Sequence, residues 1–222
     1  MKQIFRVLIP LAIISPVVGL AILYPGLPET VALHFDMNGN PDRTGSKSEI
    51  WFPVILMAAI ALANYFLLPQ VYKIDPKKSA AENKPRLKRM AQAIALLMTF
   101  ISWVIIDTTV KGVLRISMQS IFFALGILWC FLGNYMYNIK PNYFAGIRLP
   151  WTLHNEDNWR LTHRLAGKLF FIGGISVCVL SLILPAQPLI VSFVVITFLT
   201  ILVCGIYSYR LHKKMNEGAL NK

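Results

Sequence analysis

Residues 133–170 read GNYMYNIKPNYFAGIRLPWTLHNEDNWRLTHRLAGKLF, and they separate two long apolar blocks that they do not resemble. The middle of this stretch is dense in Pro, Gly, Asn, Trp, His and Arg, a composition that contact with lipid does not require. Loops held by a rigid scaffold are where specific chemistry concentrates. The flanking blocks therefore decide the scaffold, and the loop marks where function is sought.

Outward from this loop, the apolar residues fall into six blocks, at about 4–24, 51–71, 91–109, 118–137, 166–184 and 189–209. Each is close to the roughly 20 residues that a helix needs to cross about 30 Å of hydrocarbon. The 222-residue chain is 56% hydrophobic and 14% charged, with a mean hydropathy of +0.58. That is more apolar surface than a single soluble core of this length hides. The short alternating strands of a membrane barrel are absent. The sequence predicts an all-α membrane protein of six transmembrane helices.

The net charge of +12 is distributed by topology. With the N-terminus in the cytoplasm, 18 Lys and Arg lie on the inner side and only Arg43, Lys47, Lys111 and Arg115 outside. This asymmetry predicts both ends in the cytoplasm and contact with anionic lipid, with no direct nucleic acid partner needed. Organisation follows from the same pattern. Residues 1–71 form an N-terminal two-helix unit with an outer loop at 25–50, and 72–90 a basic cytoplasmic loop. Residues 91–209 form a four-helix unit carrying the loop 133–168, and 210–222 a basic tail. The first block, with Lys2 and Arg6 before it, is read as a retained span: it is long for a signal peptide and ends in Tyr24-Pro25-Gly26. Cys130, Cys178 and Cys204 sit inside spans without metal or redox spacing and read as small packing residues.

The outer loop is expected to form a cap over the bundle around His34, Phe35, Gly39 and Lys47. Val31, Leu33 and Phe35 alternate with Ala32 and His34 as in a short strand, and Asn38-Gly39 and Asn40-Pro41-Asp42 are turn chemistry. The run Asp36, Asn38, Asn40, Asp42 imitates a calcium loop, but Pro41 and Lys47 stand where that loop needs Gly and a bidentate Glu. The EF-hand reading fails, and a looser cation site is the weaker alternative to a structural cap.

Asp107 is the intramembrane acid, which points to an ion or proton path by default. Lys111 lies four residues on, so an interfacial ion pair on one helix face is the preferred reading. Asn64, Gln92 and Asn134 are lone polar residues of the kind that hydrogen-bond between helices.

Within the central loop, Pro141 ends the fourth span and Lys140 is biased out of helix. Arg148, among apolar and aromatic neighbours, needs a carboxylate, carbonyl, phosphate or ring partner. Trp151 and Trp159 suit a membrane–water interface. A helix is expected to start near Asn155, a favoured cap, with Glu156 and Asp157 at its positive end. Arg160, Arg164 and Lys168 then form a basic stripe, and Trp159, His163 and Gly167 a second stripe turned toward the bundle, with Gly173 and Gly174 allowing close helix approach. His154, Glu156, Asp157 and His163 offer groups for catalysis, but they match no zinc helix and lack an evident nucleophile. The sequence predicts no enzyme, no cofactor and no metal.

Gly133-Asn134, Lys140-Pro141-Asn142, Gly146-Ile147-Arg148-Leu149-Pro150-Trp151-Thr152, Trp159, His163-Arg164 and Gly167-Lys168 together resemble the signature of the SdpI family. Leu149 stands where Thr is common in that family. The outer segment from Leu27-Pro28 through His34-Phe35 to Gly39, Pro41 and Lys47 is similar to the small domain of unknown function that often precedes it. The resemblance implies a bacterial multi-pass cell-membrane protein giving immunity to a sporulation-delaying toxin. It also implies a signalling role in which a cytoplasmic autorepressor is captured. The expected partners are the bilayer, a toxin peptide or protein, and that repressor. Two readings from other classes compete: a small transporter or channel using Asp107, and a membrane-embedded enzyme.

Overall fold

The computed structural model describes residues 4–36, 39–114 and 116–220, with side chains from 7 to 217. Arg115 and Asn38, singled out above, lie outside the described residues, as do Lys2 and Lys222. Among the described residues, six helices are long and apolar enough to cross a membrane: α1 (Ile4–Leu23), α2 (Trp51–Leu67), α3 (Lys84–Lys111), α4 (Met118–Met136), α6 (Glu156–Ile183) and α7 (Ala186–Leu220). Between them lie a short helix, α5 (Pro150–His154), a hairpin of β1 (Thr30–Phe35) and β2 (Pro41–Ser46), and short 3₁₀ turns. The protein is a helical multi-pass membrane protein.

Three helix boundaries differ from the sequence reading, each for a local reason. α3 starts at Lys84 because Pro85 sits in its first turn, where its missing N–H costs nothing. α7 continues through the basic tail, since no proline interrupts residues 209–220. α5 forms where Pro150 opens a single turn inside the central loop.

Two packed groups share α3 and α4 as their seam. In the first, Leu20 of α1, Val54 of α2 and Ile106 of α3 close a buried core with Leu27, Val31 and Ile50 of the cap. The Trp103 indole of α3 lies over Gly19 and donates to Ser15 Oγ at 3.0 Å, tying α3 to α1. Asn64 donates to the Ala91 carbonyl at 2.9 Å, the expected interhelical bond. In the second group, α4 and α6 run antiparallel with their backbones almost touching. A Cβ on Gly133 would lie 2.7 Å from the Gly167 carbonyl oxygen, and one on Gly126 would lie 2.8 Å from that of Gly174. The glycines repeat seven residues apart on both helices, so two turns of each meet without side chains between them. Gly173 faces Ile196 and Trp129 instead.

The cap is a bulged hairpin. β1 is where the alternation placed it, but β2 was not foreseen. Its PDRTGS sequence has no apolar period and is held by pairing with β1. Leu33 is skipped in the register, and both Val31 and Ala32 are buried, so strict alternation fails. Covering β1 on both faces explains this: Val31 enters the core and the Ala32 carbonyl accepts from Thr109 of α3 at 3.5 Å. Phe35 pairs with Pro41, and Gly39 takes a positive φ of 85° in the turn. His34 bonds Asp42 at 2.6 Å on the surface. Lys47 pairs with Glu29 at 2.9 Å beside the Tyr24 ring, pinning the end of the cap.

Asp107 and Lys111 form an ion pair on the cap side of α3, both partly exposed. Pairs of this exposure contribute about 0–1 kcal/mol. Asp107→Asn is therefore expected to shift thermal unfolding little, as scanning fluorimetry checks. A large loss of stability would instead show that the pair is buried in the folded protein.

Candidate functional site

The end of the bundle opposite the cap carries residues 68–83, the loop 137–155, the start of α6 and the end of α7. Here the backbone polar groups of an irregular loop lie beside a membrane core, so each needs a partner. Side chains from three separate segments supply them.

Asn83, fully buried, donates to the Lys140 carbonyl at 2.9 Å and accepts from the Lys140 N–H at 2.8 Å. One amide thus satisfies both groups of one residue, as a neighbouring strand would. Ser79 donates to the Pro141 carbonyl at 3.0 Å, and Asp75 accepts from the Tyr143 N–H at 2.7 Å. The loop between α2 and α3 is therefore a brace for the loop between α4 and α6. Neither Asn83, Asp75 nor Ser79 was a sequence candidate.

The central loop also binds itself. Asn142, buried, accepts from the N–H groups of Phe144 and Ala145 and donates to the carbonyls of Lys140 and Ala145. Every hydrogen-bonding position of its amide is used. Gly146 has φ of 113°, a region that L side chains avoid, and a Cβ there would run into His163 Nε2. This close approach lets the Ile147 N–H donate to His163 Nε2 at 2.9 Å. His163 Nδ1 in turn donates to the Trp159 carbonyl at 2.8 Å, so the two bonds define one neutral tautomer. The ring stacks on Trp159 with centroids 3.9 Å apart.

Trp159 is 1% exposed and donates its indole N–H to the Ile139 carbonyl at 2.9 Å. The expectation of an interfacial Trp159 is corrected: the same amphipathic ring fills the core under the loop. Trp151 is half-buried, donating to Ser208 Oγ at 3.0 Å and stacking near His212 of α7. Asn158, another residue missed in the sequence, is buried and donates to the Ser208 carbonyl at 2.9 Å while accepting from Thr162. Buried Thr152 accepts from the Leu149 N–H at 3.0 Å and closes the turn at Pro150. Asn155 caps α6 through the Asn158 N–H at 2.8 Å, as expected.

Arg148 finds a carbonyl partner, that of Tyr143 at 2.8 Å, and its side chain is otherwise exposed. Arg160, Arg164 and Lys168 are exposed together on one face of α6, while Trp159, His163 and Gly167 are buried on the next. Asn134 does not join this network. It is exposed on α4 and makes no hydrogen bond among the described residues, against the interhelical bond expected of it. Pro141 is buried and Lys140 points outward to Glu82 at 3.7 Å.

Between the brace and the start of α6 lies a polar cleft of about 420 Å³, with Arg86, Lys140, Arg160 and Arg164 facing Glu82, Glu156 and Asp157. Arg160 pairs with Asp157 at 2.7 Å, and Arg164 lies over the Tyr137 ring. The candidate catalytic groups are not gathered: His154 caps the end of α5 on the surface and His163 is sealed beneath the loop. No group of three His, Cys, Asp or Glu able to hold a metal occurs among the described residues.

The braced loop and the two helices that follow it match a protein family. Residues 138–208 match the SdpI/YfhL protein family. These residues belong to that family. Residues 11–58, which hold α1, the hairpin and the start of α2, match a domain of unknown function, DUF1648. The chain is 26% identical over 195 residues to the immunity protein SdpI of Bacillus subtilis (strain 168), covering 88% of this chain and 89% of that protein. No solved structure matches. In the SdpI/YfhL segment the family match begins at Asn138, one residue before the Ile139 carbonyl that anchors Trp159.

Proposed function

We propose that this chain is a non-enzymatic immunity protein of the cell membrane. It protects its host against a membrane-active peptide or protein toxin met from outside or within the bilayer. The observation that carries this reading is the likeness to an immunity protein along nearly nine-tenths of both chains. The charge asymmetry supports placing the cap outside and the braced loop in the cytoplasm. Expression in a bacterium sensitive to the sporulation-delaying toxin tests the reading: survival above that of cells with an empty vector is expected. No protection from well-expressed protein overturns it for that toxin.

A second element of the proposal is that the polar cleft docks an acidic segment of a cytoplasmic repressor. Its support is the exposed Arg160 and Arg164 at the cleft edge, with Arg86 and Lys140 opposite. Reversing Arg160 and Arg164 to Glu together is expected to abolish membrane recruitment of the repressor while leaving the protein at normal levels, measured by co-fractionation. Unchanged recruitment removes the cleft from the signalling role.

A further inference from the structure

A continuous apolar groove follows α3 on the membrane-facing side, between α1 and α4. Two adjoining hollows of about 400 and 270 Å³ make it, sharing Ala93, Leu96 and Phe131. Small residues open the space: Ala12 on α1, Ala93 on α3 and Ala124 on α4. Toward the loop-bearing end of the bundle the lining changes to Arg89 and Gln92. Arg89 is exposed and has neither an ion pair nor a hydrogen bond among the described residues, and Gln92 likewise has no hydrogen bond.

Depth and chemistry together select the occupant. Between Arg89 and Phe100 the helix rises about 16 Å, close to half of a hydrocarbon layer about 30 Å thick. The groove thus runs the depth of one leaflet, beginning with a cation at the headgroup level. A guanidinium forks onto phosphate oxygens, and an amide beside it adds a neutral donor. A partner helix is about 10 Å across and rides over a floor of alanines, whereas a single acyl chain enters it. We propose that this groove binds an anionic phospholipid from the leaflet on the basic face. Its phosphate lies on Arg89 and Gln92, and one chain runs along Ala93, Leu96 and Phe100 toward Ala124. The proposal rests on membrane embedding and is independent of the immunity reading.

The test is native mass spectrometry of the full chain in neutral detergent, offered equal phosphatidylglycerol and phosphatidylcholine of matched acyl chains. Wild type is expected to retain a single lipid, with phosphatidylglycerol preferred. Arg89→Gln equalises the two headgroups, and Ala93→Phe loses both lipids while keeping its helical spectrum. Equal retention of the two lipids by wild type overturns the proposal, as does undiminished retention in Ala93→Phe. Should Ala93→Phe fail to fold, Arg89→Gln at its exposed position decides alone: a preference that survives it overturns the site. A lipid-free wild-type dimer that Ala93→Phe splits into monomers also overturns it, assigning the groove to a second copy.

Discussion

Gly167→Ala is expected to lower the unfolding temperature of the detergent-solubilised protein, although alanine is the better helix former. A Cβ at this position would lie 2.8 Å from the Gly133 carbonyl oxygen and 2.8 Å from the Tyr137 backbone. Both neighbours are main chain, so relief requires α4 and α6 to separate. Overpacking of this kind costs about 1–3 kcal/mol, which exceeds the roughly 1 kcal/mol that Gly to Ala gains in an exposed helix. The net loss is expected at the upper end because separation also strips the contacts around Gly126 and Gly174. Gly205→Ala supplies the contrast, since nothing lies within 4 Å of its added Cβ. That variant is expected to be neutral or slightly more stable. Scanning fluorimetry of the two variants side by side checks the sign, and equal shifts would contradict the close helix contact.

Asn83→Leu is expected to produce the second large effect. Leucine keeps the branched outline of the side chain but leaves the Lys140 N–H and carbonyl without the partners seen at 2.8 and 2.9 Å. Lys140 N–H then has no partner in a site where Asn83 is fully buried, while its carbonyl keeps the Asn142 amide. A buried group stranded in this way costs about 1–3 kcal/mol, and the brace loses its central bond. The loop 137–149 is expected to become the preferred site of limited proteolysis, with the spans still intact. Asn83→Asp is expected to be no milder, since it keeps an acceptor for the Lys140 N–H but sets a buried carboxylate oxygen against the Lys140 carbonyl where the amide donated. Proteolysis of Asn83→Leu at the wild-type rate would show that the loop holds itself through Asn142 and His163 alone.

The six spans were legible because lipid demands about twenty apolar residues in a row, a signal that needs no partner to read. The buried stripe of Trp159, His163 and Gly167 was legible for the same reason of period, once Asn155 had fixed the start of α6. The resemblance carried the loop as a unit, which the family match over residues 138–208 supports. What stayed hidden was long-range. Asn83 and Lys140 stand 57 residues apart, and a basic loop with two prolines reads as solvated when nothing shows what it touches. Asn158 and Ser208 are 50 apart on different helices and look ordinary in each. The seven-residue spacing of Gly126 and Gly133 was present in the sequence, matched by Gly167 and Gly174, but glycines are frequent in spans and only the packing pairs them. β2 had no signal of its own, since its pairing with β1 is what makes it a strand.

These elements make one mechanical statement: the segment between α2 and α3 holds the SdpI/YfhL loop in a fixed shape against the membrane. The most direct measurement is survival of a toxin-sensitive bacterium expressing wild type, Gly205→Ala, Arg148→Ala or Asn83→Leu at matched membrane levels. Wild type and Gly205→Ala are expected to protect and Asn83→Leu to lose protection, with Arg148→Ala also impaired through the Tyr143 carbonyl it secures. Full protection by Asn83→Leu, from protein whose loop is demonstrably cleaved faster, would contradict that statement.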